Sequence, residues 1–138
     1  MLLKMYEWMV LALCFDNMMV RLQRIGRLAA FTSSEGQEAV AVGAAAALRE
    51  TDWIFPTYRE TGAYLARGVP LETLIARQPG TADDPLKGHE VLLFGDRRYR
   101  IVTGPGPVAA HFNRLRPRTK TERRGYRGAR ILRGRCNI

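Results

Sequence analysis

Cysteine and histidine are scarce in this chain. Among 138 residues there are two of each, Cys14 and Cys136, His89 and His111. The cysteines stand near opposite ends with no metal-ligand neighbours, so neither offers a thiolate metal site. A reducing, intracellular and cytoplasmic setting is the default expectation. His89 beside Glu90 is a lone imidazole with no ligand spacing, and reads as structural or solvent-facing. No apolar run is long enough to cross a membrane: the stretch Met9 to Phe15 is interrupted by Asp16 and Asn17. Glu7 ahead of that run, and the lack of a small-x-small cleavage site after it, argue against an export signal.

Acidic residues are scarce in one region only. Residues 1–112 carry 12 Lys/Arg and 12 Asp/Glu, whereas residues 113–138 carry 10 Lys/Arg and the single acid Glu122. The whole formal charge of +9 therefore belongs to the last 26 residues. Such a tail suits a nucleic-acid binder, or a stretch foreign to the evolved fold. The length allows one domain, and 46% apolar residues is ordinary for a globular one.

The most informative stretch is Thr51-Asp52-Trp53-Ile54-Phe55-Pro56-Thr57-Tyr58-Arg59-Glu60-Thr61-Gly62. Trp53, Ile54 and Phe55 call for burial, and Pro56 ends any regular element. Gly62 to Ala66 reads as a short helix stopped by Gly68. Tyr58 and Arg59 thus sit just before a helix N-terminus, where backbone N–H groups and a guanidinium fork suit an anion such as phosphate. A surface pairing of Arg59 with Glu60 or Asp52 is the plainer alternative, and the geometry alone leaves both open.

Around this stretch the periodicity predicts helices over Met1–Ile25, Glu35–Arg49 and Val69–Ala76, the last with Pro70 in its first turn. Ser34-Glu35-Gly36-Gln37 fits a capping box. Connections fall near Gly26–Ser34 and Arg49–Tyr58. The runs Val91–Phe94 and Tyr99–Val102, separated by Gly95-Asp96-Arg97-Arg98, read as a hairpin. Gly104-Pro105-Gly106-Pro107 reads as a stiff turn.

Asp52-Trp53-Ile54-Phe55-Pro56-Thr57-Tyr58-Arg59-Glu60, followed by Leu65-Ala66-Arg67-Gly68-Val69-Pro70, resembles the alpha subunit of the decarboxylating component of the 2-oxoacid dehydrogenase complexes, those acting on pyruvate and on branched-chain 2-oxoacids. Gly36-Gln37-Glu38-Ala39 fits the same family. The resemblance covers about residues 2–112. It implies an α/β thiamine diphosphate-binding fold, here truncated. The fragment itself would be mainly α-helical with a short β-hairpin. It also implies thiamine diphosphate and Mg2+ as cofactors. Tyr58 and Arg59 would grip the diphosphate, and Gly106 and Val108 would touch the cofactor through main-chain atoms. Partners would be a beta subunit, in an alpha2-beta2 heterotetramer, and a lipoyl acyltransferase, with no membrane involved. The long first helix would pack on the partner subunit. Departures are Leu13-Cys14 where basic residues are usual, Thr32 near the place of a histidine common in pyruvate-using relatives, and His111 in place of Gln.

From about Asn113 no apolar face recurs among the arginines, and Gly125, Gly128 and Gly134 break any helix. Residues 113–138 are therefore expected to form a disordered basic tail. The family should instead show an apolar helix and a metal-holding Gly-Asp-Gly. One allowed set of codons for Arg130–Ile138, read one base later, translates as Tyr-Phe-Gly-Asp-Gly-Ala-Thr. The expectation is a frame break between His111 and Asn113, leaving residues 1–112 as the N-terminal part of the cofactor-binding domain. This chain alone would then be inactive and would not bind the cofactor well. A small basic nucleic-acid-binding protein is the alternative, although only Tyr126 in the tail could serve as a stacking platform. A folded fragment that binds a beta subunit is a third possibility.

Overall fold

The computed structural model describes residues 1–84, 87–89 and 94–104. Four α-helices follow in order: α1 (Leu2–Arg24), α2 (Glu38–Ala46), α3 (Thr61–Ala66) and α4 (Leu71–Arg77). A single 3-10 turn spans Arg97–Tyr99. The mainly helical expectation for residues 1–77 holds.

The spacing of Ala12, Phe15 and Met19 puts one stripe of α1 against the rest of the molecule, where all three are buried. Trp8 and Leu22 extend that stripe. The other faces of α1 leave Leu2, Leu3, Tyr6, Val10, Leu13 and Met18 exposed. The helix ends where Arg27 N–H reaches back to the Leu22 carbonyl at 2.9 Å, with Gly26 at φ +73°. Arg21 and Arg24 lie in its last turn, complementing the carbonyl end of the dipole.

Helix α2 is shorter than the expected Glu35–Arg49 at both ends. Gly36 adopts φ +83°, a left-handed conformation that no helix can include. The capping box does not form: Gln37 is the N-cap and makes no side-chain cap. At the other end Asp52 captures the Arg49 N–H (3.1 Å) and the Arg49 guanidinium (3.0 and 3.3 Å), which turns the chain away from the helix. Helix α4 starts at Leu71, with Pro70 as its N-cap rather than inside its first turn. Val69 is taken by the end of α3, donating to the Tyr64 carbonyl at 3.1 Å, and a residue before proline avoids the helical region.

Helices α2 and α3 approach closely because both carry small residues. A Cβ on Gly62 would lie 2.9 Å from Val42 Cγ2. Phe15 meets Phe31 edge-on at 6.0 Å, and Tyr64 meets Phe94 at 5.1 Å, closing the core from two sides.

The expected hairpin is corrected by the described part of its range. Among the described residues there are no strands, only isolated bridges: antiparallel between Asp96 and Ile101, and parallel between Ile54 and Ile101. The 3-10 turn takes Arg97 and Arg98 of the expected turn and Tyr99 of the second strand, with Arg100 left-handed at φ 54° after it. Asp96 caps that turn by accepting the Arg98 N–H at 2.8 Å. Ile101 exchanges both backbone bonds with Asp96, at 3.0 and 2.9 Å, while on its other edge the Arg100 carbonyl accepts from Ile54 N–H and Val102 N–H donates to the Ile54 carbonyl, both at 2.9 Å. Residues 91–93, the core of the first expected strand, lie outside the described residues, as do 113–138.

Candidate functional site

The Trp53–Phe55 anchor behaves as its apolar character requires. Ile54, Phe55 and Pro56 are buried, and Trp53 is half-buried beneath the Arg100 guanidinium, 6.0 Å from its ring centre. This anchor delivers the loop 57–60 to the start of α3, for which Glu60 is the N-cap.

Within the loop, Glu60 is the organising residue. Its buried carboxylate accepts the Thr57 hydroxyl at 2.7 Å and the backbone N–H of Arg59 at 3.1 Å. Burial raises its pKa above the ordinary carboxylate value, and the bonds from Thr57 and Arg59 oppose that rise. Tyr64 fixes the loop from below, donating its hydroxyl to the Thr57 carbonyl at 3.3 Å. Burial drives the Tyr64 pKa far upward, and the nearby Glu60 charge adds to the rise, so the phenol stays a neutral donor.

Arg59 and Tyr58 come out side by side and half-buried, with the guanidinium 5.4 Å from the Tyr58 ring centre. The surface pairing left open by the sequence is not what forms. Asp52 is engaged by Arg49, and Glu60 holds the backbone of Arg59 rather than its side chain. The guanidinium instead donates through Nη1 to the Ser33 carbonyl, and it forms no ion pair among the described residues. A planar fork with one arm anchored and no carboxylate on it can receive an anion in bidentate fashion.

Thr32 and Tyr58 share a pocket with Phe15, Phe31, Tyr64 and Phe94, with about 30 Å³ of water-accessible room. That is space for water, not for a cofactor ring. Arg77 also lines it, stacked 5.0 Å over Phe94, with Nη1 4.0 Å from Asp84 Oδ1.

Two of the four expected site residues, Tyr58 and Arg59, are therefore adjacent at the start of α3. Gly106 and Val108 lie outside the described residues, as does His111. Among the described residues no group of three His, Cys, Asp or Glu could hold a metal ion. No helix of the described residues is long and apolar enough to cross a membrane.

Sequence reasoning missed Asp16 as part of this neighbourhood. Its Oδ2 accepts from the Ser33 hydroxyl (3.0 Å), the Ser34 hydroxyl (2.9 Å) and the Ser34 N–H. The available signal was positional: Asp16 falls four residues after Ala12 and three before Met19, on the buried stripe of α1.

Residues 6–118 match the model of a protein family described as the dehydrogenase E1 component. A 3-methyl-2-oxobutanoate dehydrogenase alpha subunit of Mycobacterium tuberculosis is 58% identical over 66 residues, 48% of this chain and 18% of that protein. A 2-oxoisovalerate dehydrogenase alpha subunit of Bacillus subtilis is 42% identical over 107 residues, 75% of this chain and 32% of that protein. The mouse mitochondrial counterpart is 36% identical over 108 residues, 78% of this chain and 24% of its own length. The chain thus spans a third or less of these relatives. With a family match over most of its residues, this chain belongs to the dehydrogenase E1 component family.

Proposed function

We propose that this chain is the N-terminal part of the alpha subunit of a thiamine diphosphate-dependent branched-chain 2-oxoacid dehydrogenase. The complete enzyme would decarboxylate a 2-oxoacid oxidatively and pass the acyl group to lipoamide, working with a beta subunit as an alpha2-beta2 assembly and with a lipoyl acyltransferase. The branched-chain choice is supported by the names of the relatives, and Thr32 agrees with it by lacking the histidine common in pyruvate users.

The observation that carries the reading is the state of Arg59. Its guanidinium is anchored on one arm by the Ser33 carbonyl, carries no ion pair among the described residues, and lies beside Tyr58 ahead of α3. Those donors fit a diphosphate. Gly106 and Val108 would complete the contact through main-chain atoms. By the family resemblance, the Mg2+ that accompanies the diphosphate would be held by a Gly-Asp-Gly motif of the complete subunit. When bound, the cofactor supplies the carbanion chemistry. The residues here bind and orient it: Arg59 neutralises diphosphate charge, Tyr58 flanks the guanidinium, and Glu60 holds the loop.

With a third or less of the relatives' length present, the 138-residue chain is inactive alone and binds thiamine diphosphate no better than a salt-sensitive background. Calorimetry with magnesium tests this, and tight binding by the isolated chain would refute it. In a chain extended to full length in the family's frame and assembled with a beta subunit, binding appears. There Arg59→Ala weakens it by about 1.5–3 kcal/mol, the range for hydrogen bonds to charged groups. An unaffected Arg59→Ala variant would remove Arg59 from the diphosphate site.

A further inference from the structure

We propose that Asp16 is a positioning residue for Arg59, acting through the single peptide group that joins Ser33 to Ser34. The N–H of that peptide, on Ser34, donates to Asp16 Oδ2, and its carbonyl, on Ser33, accepts from Arg59 Nη1. A trans peptide is planar, with its N–H and C=O pointing in opposite directions. Fixing the N–H therefore fixes the direction of the carbonyl, and an anion on the N–H side makes the carbonyl oxygen a stronger acceptor.

Asp16 is suited to this task by its own rigidity. It is 1% exposed, in the middle of the buried stripe of α1 between Phe15 and Met19. The hydroxyls of Ser33 and Ser34 both close on the same oxygen, Oδ2, at 3.0 and 2.9 Å. The second oxygen, Oδ1, is buried with no hydrogen-bond partner among the described residues. A buried carboxylate left half satisfied is a costly way to pack a helix against a loop, where an apolar side chain would serve. What an apolar residue could not do is hold the peptide plane, and with it the arm of Arg59.

The inference rests on the reading of Arg59 as the diphosphate ligand, but its test needs no cofactor. In the 138-residue chain, 15N NMR reads the rotation of the Arg59 guanidinium about its Nε–Cζ bond. Asp16→Ala is expected to speed that rotation about tenfold, the factor that follows from losing one charge-assisted contact. Met19→Ala, one turn further along the same buried stripe, should lower the melting temperature yet leave the Arg59 rate within about twofold of wild type. Asp16→Asn retains a carbonyl acceptor for the Ser34 N–H and should restore most of the slow rotation. Should Asp16→Ala not fold, the Ser33→Ala/Ser34→Ala double variant replaces it. That variant strips both hydroxyls from Oδ2, leaves the Ser34 N–H as its one donor, and should give a rise of about threefold. An unchanged Arg59 rate in Asp16→Ala, or in the double variant where it stands in, overturns the proposal. So does a Met19→Ala effect as large as that of Asp16→Ala. Either result leaves the diphosphate reading of Arg59 standing, because that reading fails only on cofactor affinity.

Discussion

Two arginines flank α3, and they are used in opposite ways. Arg67, after the helix, reaches back to the turn at 49–52: Nη1 donates to the Arg49 carbonyl at 3.0 Å and Nη2 to the Asp52 carbonyl. Its Nε is buried without a partner, and burial lowers its pKa below the usual guanidinium value. Arg59, before the helix, has one anchoring bond, to the Ser33 carbonyl, and no ion pair among the described residues. The first closes a loop by donating to two backbone carbonyls of the turn that follows α2. The second is held by a single arm and has no ion pair on the other among the described residues. Helical position does not separate them, since both stand at the ends of one short helix. The separation comes from what faces each: two backbone carbonyls of a nearby turn in one case, one carbonyl of a distant loop in the other.

The strongest way to break this contrast is to dislodge the helix that both residues flank. Gly62→Val places a branched side chain where even a Cβ lies 2.9 Å from Val42 Cγ2, and should cost about 3 kcal/mol in urea unfolding. A loss below about 1 kcal/mol would mean that α2 and α3 separate freely. Arg67→Ala comes next, with an expected loss of about 2 kcal/mol, because the Asp52 carbonyl loses its guanidinium donor and the Arg49 carbonyl is left with the Asp52 N–H alone. Arg59→Ala should cost less than about 1 kcal/mol of stability, one bond to a half-buried carbonyl being lost. If Arg59→Ala destabilised the chain more than Arg67→Ala does, the assignment of roles would be reversed.

The pH dependence sharpens the contrast, with opposite signs at the two places. The Glu60 pKa is raised in the fold, mainly by burial. Its contribution to stability is thus complete below the unfolded value near 4.5 and declines as pH rises through the folded value. Asp52 is lowered, chiefly by its hydrogen bond from the Arg49 side chain and then by the Arg49 backbone. Its contribution is complete above the unfolded value near 3.8 and is lost as pH falls through the folded value. Thermal melts from pH 3 to 7 should show Glu60→Gln flattening the upper part of the profile and Asp52→Asn the lower part. The same flattening in both variants would contradict the assignment.

Much of the helical framework was legible from spacing. Helix α1 falls within a residue of its expected span because Ala12, Phe15 and Met19 keep one register throughout, and the stop at Gly68 is a left-handed glycine at φ +82°. The errors share a physical origin in side chains recruited by distant partners. Ser34 looked like a helix cap and is bonded to Asp16, 18 residues earlier. Ile101 pairs with Asp96, a residue assigned to the turn, and also with Ile54 far earlier in the chain. Asp52, an open alternative for Arg59, belongs to Arg49. At the candidate site the sequence yielded Tyr58 and Arg59, because a family motif is local. It did not yield Asp16 or the Ser33 carbonyl, because a backbone acceptor has no residue signature.

The parallel bridge between Ile54 and Ile101 has a kinetic consequence. It joins parts of the chain separated by α3, α4 and the loop after them, so its closure entropy is overcome only when those segments have collapsed around Tyr64 and Phe94. The two amide protons of that rung, on Ile54 and Val102, bond across the same pair of segments. They should therefore exchange with solvent at one common rate, as reporters of a single opening event that frees the Trp53–Phe55 anchor and, with it, the loop that carries Arg59.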